Sequence, residues 1–196
     1  MSARISSLNE SVMSTLLHHI KIDNQPLYYL DEGHGPVVIF CHGLLTNSTM
    51  WRSGHGQTTT IPESVENLQD VAQNVLTLMD KLEINSAAIV GHGSGGAIAA
   101  ELILHAPARI NGLVMLNSFV GFEPQVNCVK YQGLMAQVAN DQAISADLAQ
   151  TISTLYFSKE IEQLVNQDPN LANIVAQFSA ELTSYSGAQL TALLKF

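Results

Sequence analysis

The sequence is short of charge, of cysteine and of aromatic rings. Charged side chains make up 13% of its 196 residues, about half the ~25% of an average soluble chain. Apolar residues stand at 46%, so the low charge does not mark a disordered chain, which would pair low hydrophobicity with high charge. Basic residues are scarcest: 8 Lys and Arg against 17 Asp and Glu give a formal charge of −9. They stand singly from Arg4 to Lys195, and nucleic-acid binders instead carry basic stripes; no nucleic-acid partner is expected. Two cysteines, Cys41 and Cys128, are too few for a disulfide framework and lack metal-ligand spacing. With no His/Asp/Glu cluster at such spacing either, neither a metal nor another cofactor is expected. No stretch approaches the ~18 uninterrupted apolar residues of a membrane span, and Met1–Glu10 has no apolar core of a signal peptide. The expectation is a cytoplasmic protein with no membrane span.

What is present first alternates strand and helix signals. Leu16–Ile22 and Leu27–Leu30 are β-rich runs around a turn at Asp23-Asn24-Gln25-Pro26. Val37–Cys41 is a continuous apolar run of strand length, the pattern of a strand buried on both faces. Ser64–Leu82 repeats apolar residues at spacings of three and four, which predicts an amphipathic helix. Ala87–Val90 reads as a buried strand, Ser94–His105 as a helix stopped by Pro107, and Ile110–Leu116 as another strand. Strands alternating with helices imply a mostly parallel sheet with flanking helices. From Gln125 onward only helical periodicity remains, over about Val126–Val138, Ser145–Tyr156, Glu160–Gln167, Leu171–Thr183 and Gly187–Leu194. The expected organisation is an α/β core over 1–124 and an all-helical lid or cap over 125–196.

The segment Ala87–Ala100 (AAIVGHGSGGAIAA) is a strand, a Gly-rich turn and a helix. Gly91, Gly93 and Gly96 satisfy G-x-G-x-x-G, a turn that lets a pyrophosphate approach a helix N-terminus. A dinucleotide site also wants a carboxylate after the next strand, and that strand ends in Leu116-Asn117-Ser118 without one. The second reading uses more of the chain. Val37–Trp51 (VVIFCHGLLTNSTMW), Ile89–Gly96 (IVGHGSGG) and Pro107–Asn117 (PARINGLVMLN) resemble, in this order, the His-Gly oxyanion loop, the nucleophile elbow and the sixth strand of the α/β-hydrolase family. The resemblance covers about Leu27 to Phe122. It implies a partial α/β-hydrolase fold and an esterase- or lactonase-like acyl hydrolase acting on a small apolar ester-like substrate.

It also implies a site. An elbow needs small residues two before and two after its nucleophile, and Gly91 and Gly95 fill those places. Gly93 then stands at the nucleophile position. Ser94 follows it, with its backbone N–H as one oxyanion donor and Leu44 as source of the other; His42, Gly43 and His92 flank them on the substrate-binding side. Ser94 as nucleophile would need a shifted register that puts His92 in a small-residue place. As a helix-start residue it also fits a plain capping role.

The family's acid and base are not evident. They follow the elbow in the order nucleophile, acid, base, yet the last histidine is His105, and the chain reaches Phe196 without the strands that carry them. Only Arg52 and Ser53 separate Trp51 from Gly54-His55-Gly56, where the family places part of a helix and a strand. The strand after the oxyanion loop would lose its outer neighbour or pair with the N-terminal hairpin. His18 and His19 read as edge-strand residues, and His34 and His55 as loop residues. The reading is a shortened or catalytically impaired hydrolase, with a non-catalytic pseudoenzyme that binds a small molecule or a partner as the alternative.

Overall fold

The computed structural model describes residues 17–22, 24–43, 45–46, 48–51, 67–121, 124–157, 159–187 and 190. The chain divides into two compact units, Met1–Phe122 with Lys195–Phe196, and Glu123–Leu194.

The first unit opens with an antiparallel hairpin, β1 (Leu17–Ile22) and β2 (Gln25–Leu30). Ile22 faces Gln25, so the turn is tighter than the four residues expected, and Asn24 takes the left-handed conformation at φ 66°. Gln25 and Pro26 are drawn into β2. A proline survives there because the sheet has only two strands, so its missing donor breaks no interior ladder. His18 stacks on Tyr29 and His19 lies against Tyr28 across the hairpin.

Three parallel strands follow in the order β3–β4–β5: Val38–Cys41, Ala87–His92 and Ile110–Leu116. Their adjacency is as the sequence predicts. Helices α1 (Leu68–Lys81) and α2 (Ser94–His105) cover one face, where Ala87 and Ile89 meet Leu76, Met79, Ala99 and Leu102. The opposite face departs from expectation. Val38 and Phe40 on β3 are 46% and 52% exposed, and Val114 and Leu116 on β5 are 49% and 42% exposed. β3 is therefore buried on one face only, although its apolar run reads as buried on both. Trp51, ending a short 3₁₀ turn (Ser48–Trp51), sets its ring 5.1 Å from Phe40 on that open face. Among the described residues β3 has no partner strand beyond β4, and the hairpin forms a sheet of its own.

Helix α1 begins at Leu68 because Asn67 and Asp70 form a reciprocal cap. The Asn67 side chain accepts from the Asp70 N–H at 3.0 Å, and the Asp70 carboxylate accepts from the Asn67 N–H at 3.2 Å. Residues 64–66 of the expected helix lie outside the described residues. Arg109, at the end of a 3₁₀ turn (Pro107–Arg109), ties the entry of β5 to the approach of β4. It donates to the carbonyls of Ile84 and Asn85 at 2.8 Å each and pairs with Asp80 at 2.8 Å.

The second unit is helical: α3 (Gln125–Asp141), α4 (Ala146–Tyr156), α5 (Lys159–Leu164) and α6 (Pro169–Ser184). Ser145 and Asp168 cap α4 and α6 by accepting from the N–H groups of Leu148 and Asn170. Leu148, Ile152 and Leu182 are buried, and Phe178 packs against the rings of Tyr156 and Phe157. The helix expected over Gly187–Leu194 lies largely outside the described residues. No helix among them is long and apolar enough to cross a membrane.

Candidate functional site

The turn between β4 and α2 is tight, and its glycines at 91 and 95 are there for space. A Cβ at Gly91 would run into the carbonyl of Gly95, and one at Gly95 into the carbonyls of Cys41 and His42. The elbow thus presses β4 onto α2 and α2 onto the end of β3, with no room for a methyl group at either contact. Gly93 sits between them at φ 56° and ψ −124°, where an L side chain is strained and glycine is not. Among the described residues a Cβ there would meet nothing nearer than the Cα of Gly43 at 3.7 Å.

Gly93, and not Ser94, is the N-cap residue of α2. No side-chain cap hydrogen bond forms there, so the capping role expected of Ser94 is not the one it plays. Ser94 is the first helical residue. The carbonyl of Gly93 accepts from the Gly96 N–H at 3.0 Å and from the Ser118 hydroxyl at 2.8 Å, while the Gly93 N–H donates to Leu116 at 3.0 Å. Ser118 carries no motif in the sequence, where Leu116-Asn117-Ser118 matters only for lacking an acid.

The loop after β3 lies beside this turn. Gly43 is buried against His92, and a Cβ on it would fall 3.0 Å from the His92 carbonyl oxygen and 3.1 Å from its Nδ1. That Nδ1 is buried without a hydrogen-bond partner among the described residues. The Gly43 carbonyl receives the Thr46 N–H at 3.2 Å, the Thr46 hydroxyl at 2.7 Å and His42 Nδ1 at 3.0 Å. A carbonyl only accepts, so His42 carries its proton on Nδ1. Burial lowers the pKa of that imidazole, and the bond to Gly43 opposes the shift only in part. Burial also pushes the Cys41 thiol up to about 12, which makes it inert. Thr46 was not legible as a site residue. Leu44, the other expected donor, and His55 lie outside the described residues.

His105 is removed from the elbow by geometry. It lies eleven positions beyond Ser94 on α2, about 16 Å away at 1.5 Å per residue, and its ring pairs with Glu101 at 3.1 Å. No group of three or more His, Cys, Asp or Glu among the described residues could hold a metal ion.

This strand–elbow–helix geometry agrees with what the chain resembles. A family described as serine aminopeptidase, S33, matches residues 48–184. The chain belongs to that family, within the α/β-hydrolases. Its elbow, β5 and helices α3–α6 all fall inside the match. It is 27% identical over 164 residues to 3-oxoadipate enol-lactonase 2 of Acinetobacter baylyi, over 74% of this chain and 59% of that one. To bifunctional epoxide hydrolase 2 of Sus scrofa it is 26% identical over 121 residues, 52% of this chain and 22% of the other. The chain therefore spans less than two thirds of either relative. A hydrolase from Pseudomonas aeruginosa shares the fold at a TM-score of 0.73 and 22% identity, over 91% of this chain and 71% of that structure.

Proposed function

We propose that this chain is of the ester- and lactone-hydrolase type and is catalytically impaired because glycine stands where an attacking hydroxyl belongs. The observation that carries the reading is Gly93: the elbow conformation is adopted at φ 56° and ψ −124°, with no described atom nearer than 3.7 Å to where a Cβ would project. In this reading the N–H groups of Ser94 and Leu44 are the oxyanion donors. His42, Gly43 and His92 bound the acyl-binding end. Residues 125–196 are taken as a helical lid segment and residues 1–124 as the hydrolase core. The substrate class is a small apolar ester or lactone, which fits the enol-lactonase among its relatives. The family membership speaks against taking the Gly-rich turn as a dinucleotide site. A cytoplasmic location fits Cys41 and Cys128, both of which are thiols.

The same glycine favours a second reading, a pseudoenzyme that binds an acyl compound without cleaving it. Acyl transfer by this family's route needs a nucleophile, a base to take its proton and an acid to orient the base. Hydrolysis of p-nitrophenyl butyrate tests the impairment. The rate with purified protein should equal the buffer blank. Turnover in the range of ordinary enzymes, about 1 s⁻¹ or more, would refute it.

A further inference from the structure

We infer that Ser118 is a positioning residue: its hydroxyl holds the peptide plane between Gly93 and Ser94, and so aims the Ser94 N–H toward the place an anionic oxygen would occupy. The aim of that N–H matters only if the oxyanion reading above is right. The clamp itself stands on the geometry alone. A peptide is planar and trans, so the carbonyl of residue 93 and the N–H of residue 94 point in opposite directions. Whatever fixes the first fixes the second.

Two donors hold the Gly93 carbonyl. Gly96 N–H, at 3.0 Å, belongs to the first turn of α2 and would move with it. Ser118 Oγ, at 2.8 Å, comes from beyond the end of β5 and ties the peptide to the sheet. The other side of residue 93 is tied to the same place, since its N–H donates to Leu116 at 3.0 Å. Asn117 makes this bracket by taking the left-handed conformation, φ 48°, between the two anchoring residues. The hydroxyl also lies 2.9 Å from the Leu116 carbonyl, so its one proton is shared between the two acceptors. Gly96 completes the arrangement: a Cβ there would overlap both Cβ and Oγ of Ser118, so the hydroxyl occupies space that only glycine leaves. The clamp has particular work at this position. Glycine moves between backbone conformations more freely than any other residue, and a peptide flip at 93 would turn the Ser94 N–H away.

The test uses the full chain labelled with ¹³C and ¹⁵N, together with Ser118→Ala and Ser118→Cys. Cysteine is slightly larger than serine and only a weak donor, so a space-filling role would be lost in Ser118→Ala and kept in Ser118→Cys. In both variants the Gly93 carbonyl carbon resonance should move upfield. Sodium butyrate, against sodium chloride at equal ionic strength, should shift the Ser94 amide saturably in the wild type. Its midpoint should rise about tenfold in both variants, the loss expected for one hydrogen bond. An unmoved Gly93 carbonyl in Ser118→Cys would overturn the clamp. A carbonyl that moves while the wild-type Ser94 amide ignores butyrate would overturn the oxyanion reading and leave the clamp standing.

Discussion

A backbone at φ 56° and ψ −124° strains every residue but glycine, and position 93 is where this fold accepts it. Gly93→Ser should fold, because among the described residues a Cβ meets only the Gly43 Cα at 3.7 Å, at a cost of about 1–3 kcal/mol. Chemical denaturation would show this as a lower midpoint at unchanged slope. Ester turnover should gain little. A serine hydroxyl is a weak nucleophile at its free pKa, and no base positioned to take its proton is evident among the described residues. Activity of an ordinary esterase in that variant would show that a base lies within reach. His42 gives a second check. Its pKa is lowered by burial from the ordinary 6.5, so the unfolded chain binds the proton more readily. The stability it contributes is full above about pH 6.5 and is lost as the pH falls below that. Urea titrations at pH 7 and pH 5 should show a smaller loss for His42→Asn, whose amide can still donate to Gly43, than for the wild type. An equal loss in both would assign the pH dependence elsewhere.

Among the elements, the pieces with a strong local pattern were readable and their junctions were not. β4, α2 and β5 were legible because an apolar run, a Gly-rich turn and a helix stopped by Pro107 follow one another without ambiguity. Apolar spacing continues back to Val65, whereas the Asn67–Asp70 cap sets the start of α1 at Leu68. β3 misled through composition: Val37–Cys41 is apolar throughout, yet only alternate residues find a covering helix, and burial depends on what the rest of the chain brings to the sheet. Arg109 was invisible because its partners lie 24 and 25 residues away along the chain. It joins the entry of β5 to Ile84, Asn85 and Asp80, and hydrogen bonds from a charged donor exceed neutral ones in worth. Arg109→Ala should lower unfolding free energy by about 1–3 kcal/mol, discounted toward the lower figure because the Asp80 partner is 63% exposed. Arg109→Lys should recover little of it, since one ammonium cannot reproduce the guanidinium fork. Equilibrium denaturation of the three proteins would decide this, and full recovery by lysine would reduce the residue's role to charge.

For the molecule as a whole, the strand–elbow–helix turn is built, and an acid and a base to serve it are not evident among the described residues. The glycines at 91 and 95 make the elbow legible, because each leaves space that no side chain could share. The clamp by Ser118 and the convergence of Thr46 and His42 on the Gly43 carbonyl were not legible, since both depend on segments the fold brings together. The sheet's open face carries Val38, Phe40, Val114 and Leu116, although parallel sheets are ordinarily covered on both faces. The central claim, an elbow with its backbone geometry intact and no attacking atom, meets its most direct test in fluorophosphonate labelling read by intact mass and peptide mapping. The reagent reports an activated serine hydroxyl whatever the natural substrate is. With Gly93 at the turn no adduct should form. A stoichiometric adduct on Ser94 would contradict the claim and make Ser94 the nucleophile.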